Sequence, residues 1–330
     1  MASGVAQSFG VLNYSGQLFD KTNTDTPLVS TLSRRNTNSV EFVINSTYAT
    51  EAPSIPSISE TASLTAPEAT YVTRAQETNV VQIFQYTTGV SYQKQANTGT
   101  LAGANIAGQQ NNVPNEFDFQ MAVKTKKART DLEYTLINGT YNKATTDAQV
   151  NKTRGLIAAI TTNTQAAADG ELTFDLLNKL LRTMFKNNAP TEGLVIMCDA
   201  VTKAQITNNW SKLSGYFLPQ SRTVGGLAID QIITDLGTLG VMVHRMIPAG
   251  TALLVNMDVL EIVEMPIPGK GNFFWEPLAK TGAGDKGQLY GTAGLDYGPE
   301  WYHGKITGLS TDVADLTPPT TTAETLEIKA

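Results

Sequence analysis

Few residues in this chain could carry chemistry. It has two histidines, His244 and His303, and one cysteine, Cys198. Two histidines cannot complete a three-His zinc site, and HExxH spacing is absent. A single cysteine excludes both an internal disulfide and a Cys-based zinc centre. His244 lies in VMVHRM, an apolar strand-like run, where a structural, hydrogen-bonded histidine is expected. His303 follows Trp301 and Tyr302 and reads as part of an aromatic-rich contact surface. Cys198 closes the apolar run from Gly193 and reads as a buried small hydrophobe. Gly282, Gly284 and Gly287 match GxGxxG, but a Gly/Lys loop leads there into a strand-like QLY. A dinucleotide fingerprint needs a strand before it and a helix after it, so a flexible turn is expected. No GxxxxGK[ST] loop and no GxSxG elbow occur. Glu261 and Glu264 flank a strand and read as its exposed face. The chain therefore carries no catalytic set, no metal-ligand set and no cofactor fingerprint. An α/β enzyme with a long lid loop and an unidentified site remains the alternative function class.

Composition points away from a solvated monomer. Of the 330 residues only 16% are charged and 41% are hydrophobic. Soluble domains usually reach about 25% charged. The net charge is −6, which argues against a dedicated nucleic-acid binder. The densest basic run is Lys124, Lys126, Lys127, Arg129, and acids follow it closely. The first twenty residues lack the basic and apolar regions of a secretory signal, and no run approaches the roughly 18 apolar residues that span a bilayer. The sequons at Asn45, Asn138 and Asn151 are then chance matches, and a reducing, cytosol-like compartment of synthesis is expected.

The order of elements is more telling than any motif. Residues 1–25 lack periodicity and read as an extended arm. Ordering such a segment costs about 1–2 kcal/mol per residue, so a neighbouring chain is expected to hold it. Val40 to Tyr48 reads as a strand, followed by a Pro-, Ser- and Thr-rich connector over 51–67. Tyr71 to Pro114 reads as a long strand pair projecting from the body, with a flexible Gly-rich end. A lone hairpin is barely stable in water and wants a surface to lie on. Asn115 then caps a helix whose stripe is Phe117, Met121, Ala128, Leu132 and Leu136, stopped at Asn138-Gly139. It spans about 35 Å. Lys127/Asp131 and Arg129/Glu133 sit four apart on its wet sides.

Beyond a polar linker at 140–152 the pattern alternates. RGLIAAIT is short and apolar. Thr173 caps a helix with Leu176, Leu177, Leu180, Leu181, Met184 and Phe185 on its core face. GLVIMC reads as a buried strand, and Asp199 caps a helix toward Leu213. Strands are expected at 228–234, 241–246 and 251–256, then at 259–265, 271–277 and across 288–308. The tail from Thr311 is polar. Leu172 to Asn256 is thus a compact α/β unit inserted between the long helix and the last strands.

This order resembles the Hong Kong 97-like major capsid fold of tailed bacteriophages. Three segments resemble the SU-ten-type major head protein family: EFDFQMAVKTKKARTDLEYTLING, RGLIAAITTN, and LYGTAGLDYGPEWYHGKITGLS. The resemblance implies an α+β fold with an N-terminal arm and first strand (1–49) and an extended E-loop (50–114). A spine helix and linker follow (115–153), then an axial A-domain (154–256), a P-domain sheet return (257–310) and a polar tail (311–330). It implies a structural protein that self-assembles into pentamers and hexamers, closing an icosahedral head around double-stranded DNA. A negative chain suits that role, because a strongly basic wall would impede genome packing and ejection. Implied partners are copies of the chain itself, a portal, a decoration protein and packaged DNA bound without sequence specificity. The virion is the implied location, after synthesis in the bacterial cytoplasm.

Some relatives carry a fused, protease-removed scaffolding region. Here the arm begins almost at Met1, so a separate scaffold or an already processed form is expected. Some relatives also cross-link an E-loop Lys to an Asn. Lys94 is the only Lys on the corresponding loop, and a solvated lysine is its expected state. Tyr86, Tyr92, Lys94, Lys127, Arg129, Trp301 and Tyr302 are the expected assembly-interface residues.

Overall fold

Two sheets organise the chain, and the long helix lies against the first of them. The computed structural model describes residues 20, 22, 25–66, 68–96, 116–168, 170–213, 220–224 and 227–311. The expected arm over 1–19, the Gly-rich loop end and Asn115 cap over 97–115, and the tail from 312 lie outside the described residues.

In chain order the first elements are α1 (Pro27–Thr31), β1 (Ser33–Asn36), β2 (Glu41–Tyr48), α2 (Glu60–Ser63), β3 (Arg74–Val80), β4 (Gln82–Ser91), α3 (Tyr92–Ala96) and α4 (Glu116–Asn138). Next come α5 (Leu156–Ala159), β5 (Thr164–Ala166), α6 (Phe174–Lys186), β6 (Leu194–Cys198), α7 (Ala200–Leu213), β7 (Gln220–Val224), β8 (Leu227–Thr234), β9 (Gly237–Val243) and β10 (Thr251–Asn256). The last are β11 (Glu261–Glu264), β12 (Phe273–Pro277), β13 (Gly284–Asp296) and β14 (Gly304–Thr307), with 3₁₀ turns at Met257–Val259 and Glu300–Tyr302.

The first sheet is built on β13. One edge of β13 pairs antiparallel with β4 over ten residue pairs. Its other edge pairs with β12 at one end and β11 at the other, and β1 adds parallel to β11. The second sheet runs β5-β14-β10-β6-β9-β8-β7. Its central strands are continuous apolar runs because both faces are buried. On β10, Leu253 and Val255 join the cluster under α4, while Ala252 and Leu254 join the cluster under α6. β6 divides in the same way, with Met197 on one face and Leu194, Ile196 and Cys198 on the other. The helix α6 buries Leu177, Leu180, Leu181 and Met184, whereas Phe185, expected on the same face, is exposed; Thr173 Oγ1 caps it by accepting the Leu176 N–H at 3.3 Å. Asp199 caps α7 through the Thr202 N–H at 3.0 Å.

Several sequence expectations are corrected. Among the described residues 71–96 the two strands do not pair with each other. β3 pairs with β2, and β4 crosses into the first sheet, with Val81 alone between them. The two-stranded ribbon is therefore β2 and β3, and its loop is 49–73. β9 begins at Gly237 and runs through Gly240, which reads in sequence as a break. The late aromatic segment divides: β13 stays in the first sheet, while β14 pairs with β10 and β5 in the second. Ile306 on β14 enters the cluster beneath α6, which explains the crossing. Gly139 is not in the left-handed conformation of a helix stop. It is small because the Gly155 N–H donates to its carbonyl at 3.0 Å, and a Cβ there would strike the Thr135 and Thr153 carbonyls.

Candidate assembly interface

The β2–β3 ribbon carries a loop that the described residues of its own subunit leave exposed. Ile55 is 93% exposed, Leu64 84% and Tyr71 88%, with Ile58 and Val72 also exposed. Only the one-turn helix α2 interrupts the loop, capped by Ser59 Oγ accepting from the Ala62 N–H at 3.1 Å. The loop's charged residues are Glu51, Glu60 and Glu68, all acidic.

The base of the ribbon, by contrast, is locked by buried polar groups. Asn79 has no exposed surface. Its Nδ2 donates to the Leu295 carbonyl at 2.8 Å and to Thr153 Oγ1 at 3.1 Å. Its Oδ1 accepts the Arg154 N–H at 2.9 Å. Arg154 Nη1 donates to Glu77 at 2.8 Å and to the Tyr297 hydroxyl at 2.9 Å, and that hydroxyl donates to Glu77 at 2.6 Å. Burial, with Glu77 beside it, pushes the Tyr297 phenol well above its ordinary range. Asn45 Nδ2 on β2 donates to the Gly298 carbonyl at 3.0 Å, and Lys143 pairs with Glu41 at the ribbon's edge. The tip is thus exposed and apolar, and the base is tied down by buried polar bonds.

The helix α4 is also divided along its length. From Ala128 onward it buries Ala128, Leu132, Glu133, Leu136 and Ile137. None of its residues from Glu116 to Lys127 is buried, and Phe119 and Val123 are exposed. Phe117 makes an edge contact with Trp275, ring centroids 6.0 Å apart. This half carries Lys124, Lys126 and Lys127, with Glu116 and Asp118 in its first turn.

The expected interface residues fall in three places. Tyr86 and Lys127 converge on Asp131. The Tyr86 hydroxyl donates to Asp131 at 2.6 Å, and Lys127 forms an ion pair with the same carboxylate. Burial and this carboxylate push the Tyr86 phenol above its ordinary range. Tyr86 and Asp131 border a groove of about 300 Å³ between β4 and α4, lined also by Ile83 and Tyr134. Arg129 lies on the same helix, its guanidinium 3.3 Å from Ser30 Oγ. Tyr92 and Lys94 lie on α3, away from that groove. The Tyr92 hydroxyl accepts from Lys280 Nζ at 3.0 Å, and Lys280 also lies over its ring. Trp301 and Tyr302 form a third group, their rings edge to face at 6.0 Å in the turn between β13 and β14. The seven residues do not make one continuous patch.

Other sequence readings are revised by the packing. Glu133, expected on a wet side against Arg129, has no exposed surface. It accepts the backbone N–H groups of Leu28 and Val29 at 2.8 and 2.7 Å and meets His244 Nε2 at 2.7 Å. His303 is buried rather than part of a contact surface: Nδ1 accepts the Asn256 N–H at 3.2 Å, and Nε2 donates to the Tyr297 carbonyl at 2.6 Å. Desolvation pushes His303 down to about 4. Glu264 is buried too, paired with Arg34. Gly284 and Gly287 lie within β13 rather than in a turn, so no helix N-terminus follows for a pyrophosphate. Cys198 is buried as expected, and burial pushes its thiol up to about 12. Among the described residues no group of three or more His, Cys, Asp or Glu could hold a metal, and no helix is long and apolar enough to cross a membrane.

Residues 1–310 match the family profile of the SU10 major capsid protein. The chain belongs to that family. This capsid protein is similar in fold to solved shells at low sequence identity. The capsid asymmetric unit of cyanophage A-1(L) matches with a TM-score of 0.64 and 14% identity, covering 91% of this chain and 96% of that one. The holo-SrpI encapsulin complex of Synechococcus elongatus PCC 7942 matches with a TM-score of 0.60 and 12% identity, covering 92% and 93%. The capsid of Myoviridae phage XM1 matches with a TM-score of 0.56 and 11% identity, covering 90% and 96%. No curated protein matches the chain. The fold is Hong Kong 97-like, and the capsid protein is a structural component of the virion shell.

Proposed function

We propose that the capsid protein closes an icosahedral head of pentamers and hexamers through overlaps between neighbouring subunits, around double-stranded DNA held without sequence specificity. The carrying observation is the 49–73 loop, with five exposed apolar side chains on a rigidly anchored ribbon. In this reading the ribbon is the E-loop and α4 the spine helix. The second sheet with α6 and α7 is the axial domain, and residues before Thr26 form an arm that laces a neighbour. The loop's exposed apolar side chains suit the first half of α4 on an adjacent copy, where Phe119 and Val123 offer apolar contact. Such a head-to-tail contact generates rings when its rotation closes. A separate scaffolding protein, a portal and a decoration protein complete the partners of such a shell, which forms in the bacterial cytoplasm. Tyr86, Lys127 and Arg129, together with the Tyr92/Lys94 and Trp301/Tyr302 groups, are assigned to subunit contacts.

The test is a triple substitution, Ile55→Ser, Ile58→Ser and Leu64→Ser, in the full chain. Sedimentation velocity with negative-stain imaging should show wild-type shells or rings, and folded but unassembled triple variant. Shells formed by the variant at wild-type yield would overturn the overlap.

A further inference from the structure

The one buried carboxylate at the root of the N-terminal segment has a job that the packing alone does not explain. The short helix α1 begins at Pro27, and its N-cap residue Thr26 makes no side-chain cap bond. First-turn N–H groups have no acceptor within their own helix. Here the N–H groups of Leu28 and Val29 find theirs on Glu133, which stands 105 and 104 residues away on α4. One carboxylate oxygen takes each N–H, so the side chain clamps the helix start in a fixed orientation. The third donor is His244, just after β9. Its Nδ1 accepts the Met246 N–H at 3.1 Å, which leaves Nε2 to carry the proton donated to Glu133. Besides the Arg245–Asp25 ion pair at 3.4 Å, two further outer contacts cross the same junction. Arg129 reaches Ser30, and Asn138 Nδ2 donates to the Met246 carbonyl at 2.9 Å. Three parts of the subunit therefore meet at one carboxylate: the root of the N-terminal segment, α4, and the end of a second-sheet strand.

We propose that Glu133 is the positioning residue of the N-terminal segment. By clamping the Leu28 and Val29 amides it fixes the point and direction in which the chain before Thr26 leaves the subunit. That direction selects the neighbouring copy which the segment reaches. The last step rests on the arm reading given above. Replacing a buried carboxylate by an apolar group leaves both amides without an acceptor. Replacing it by an amide leaves one acceptor oxygen and sets an NH₂ against the other N–H.

The experiment is hydrogen exchange followed by assembly, on the full-length wild type, Glu133→Gln and Glu133→Ala. In the wild-type subunit the Leu28 and Val29 amides should exchange at least about 100-fold slower than in an unstructured chain, although they are first-turn amides. Fast exchange there overturns the proposal whatever the variants do. In Glu133→Gln these two amides should speed up about tenfold or more, while the amides of Leu132 to Ile137 and of β10 keep wild-type protection. Unchanged protection at Leu28 and Val29 in that variant overturns the clamp. With α1 loosened, closed shells should fall several-fold in yield or become heterogeneous. Shells of wild-type yield and size would overturn the selection of a neighbour. Failure of the wild type to form shells speaks instead to the assembly scheme, because the exchange result is read on the subunit alone.

Discussion

His303 should make the capsid protein acid-sensitive in a defined pH window. The imidazole is wholly buried, accepts at Nδ1 and donates at Nε2, and both bonds describe a neutral ring. Protonation would set an N–H against the Asn256 N–H and place a charge in the core. Desolvation accordingly depresses the folded-state value to about 4, from an ordinary 6.5. The sign follows from linkage. Between pH 6.5 and 4 the unfolded chain binds a proton that the folded chain refuses, so stability falls with falling pH. Above 6.5 the contribution is complete, and near 4 it is gone. A depression of that size corresponds to about 3 kcal/mol, lost at a slope of at most about 1.4 kcal/mol per pH unit. The assay is chemical denaturation of unassembled subunits at intervals from pH 7 to 4.5, comparing wild type with His303→Gln. The variant starts less stable, but its curve should be flatter by about 2 kcal/mol over that interval. Asp296, whose carboxyl burial raises, contributes with the opposite sign in both proteins and cancels in the difference. Parallel curves would refute the reasoning.

Two further substitutions test the scaffold. Asn79→Ala removes the acceptor of the part-buried Arg154 N–H and the donor to the buried Leu295 carbonyl; at about 1–3 kcal/mol for each orphaned group, denaturation should show a loss of roughly 2–5 kcal/mol. A loss under about 1 kcal/mol would mean that water replaces the side chain. Gly291→Ala places a methyl inside the Phe273 ring, which lies across the glycine in the β12–β13 pair. Overpacking there should cost about 1–3 kcal/mol, and Phe273→Leu in the same chain should recover part of it; no recovery would place the strain elsewhere.

What was legible in the sequence was what local pattern determines. β6 and β10 are apolar runs bounded by turn residues, and α6 carries both a cap and a periodic face, so their types and places followed directly. The split between β3 and β4 was not legible, because Val81 carries no turn signal. The chain changes partners there, from residues 41–48 to residues 284–293, and only long-range pairing decides that. The place of Glu133 is not legible for the same reason. Charge at position 133 suggests a wet side, whereas its three partners lie on segments about a hundred residues away in either direction. His303 was read by its aromatic neighbours, but its burial depends on Asn256 and Tyr297. Of the expected interface residues, the meeting of Tyr86 and Lys127 at Asp131 depends on β4 packing against α4, which spacing along one helix cannot express.

The distribution of apolar surface bears on how such a subunit stays unassembled until it is needed. Covering Ile55, Ile58, Leu64, Tyr71 and Val72 at about 1.5–3 kcal/mol each yields on the order of 10 kcal/mol per overlap. Bringing two subunits together costs an estimated 4–15 kcal/mol, before the loop is ordered. A single overlap therefore comes close to balance. In the proposed closed ring each subunit would both give and receive a loop, and the last contact would form between partners already held in place. The gain per subunit then rises without a matching rise in cost. Weak pairs and strong rings follow from the same exposed residues, provided that the ribbon base does not flex. Asn79 and the Arg154–Glu77–Tyr297 group secure that base. A ribbon free to swing would spend the same apolar surface on open chains and mismatched contacts.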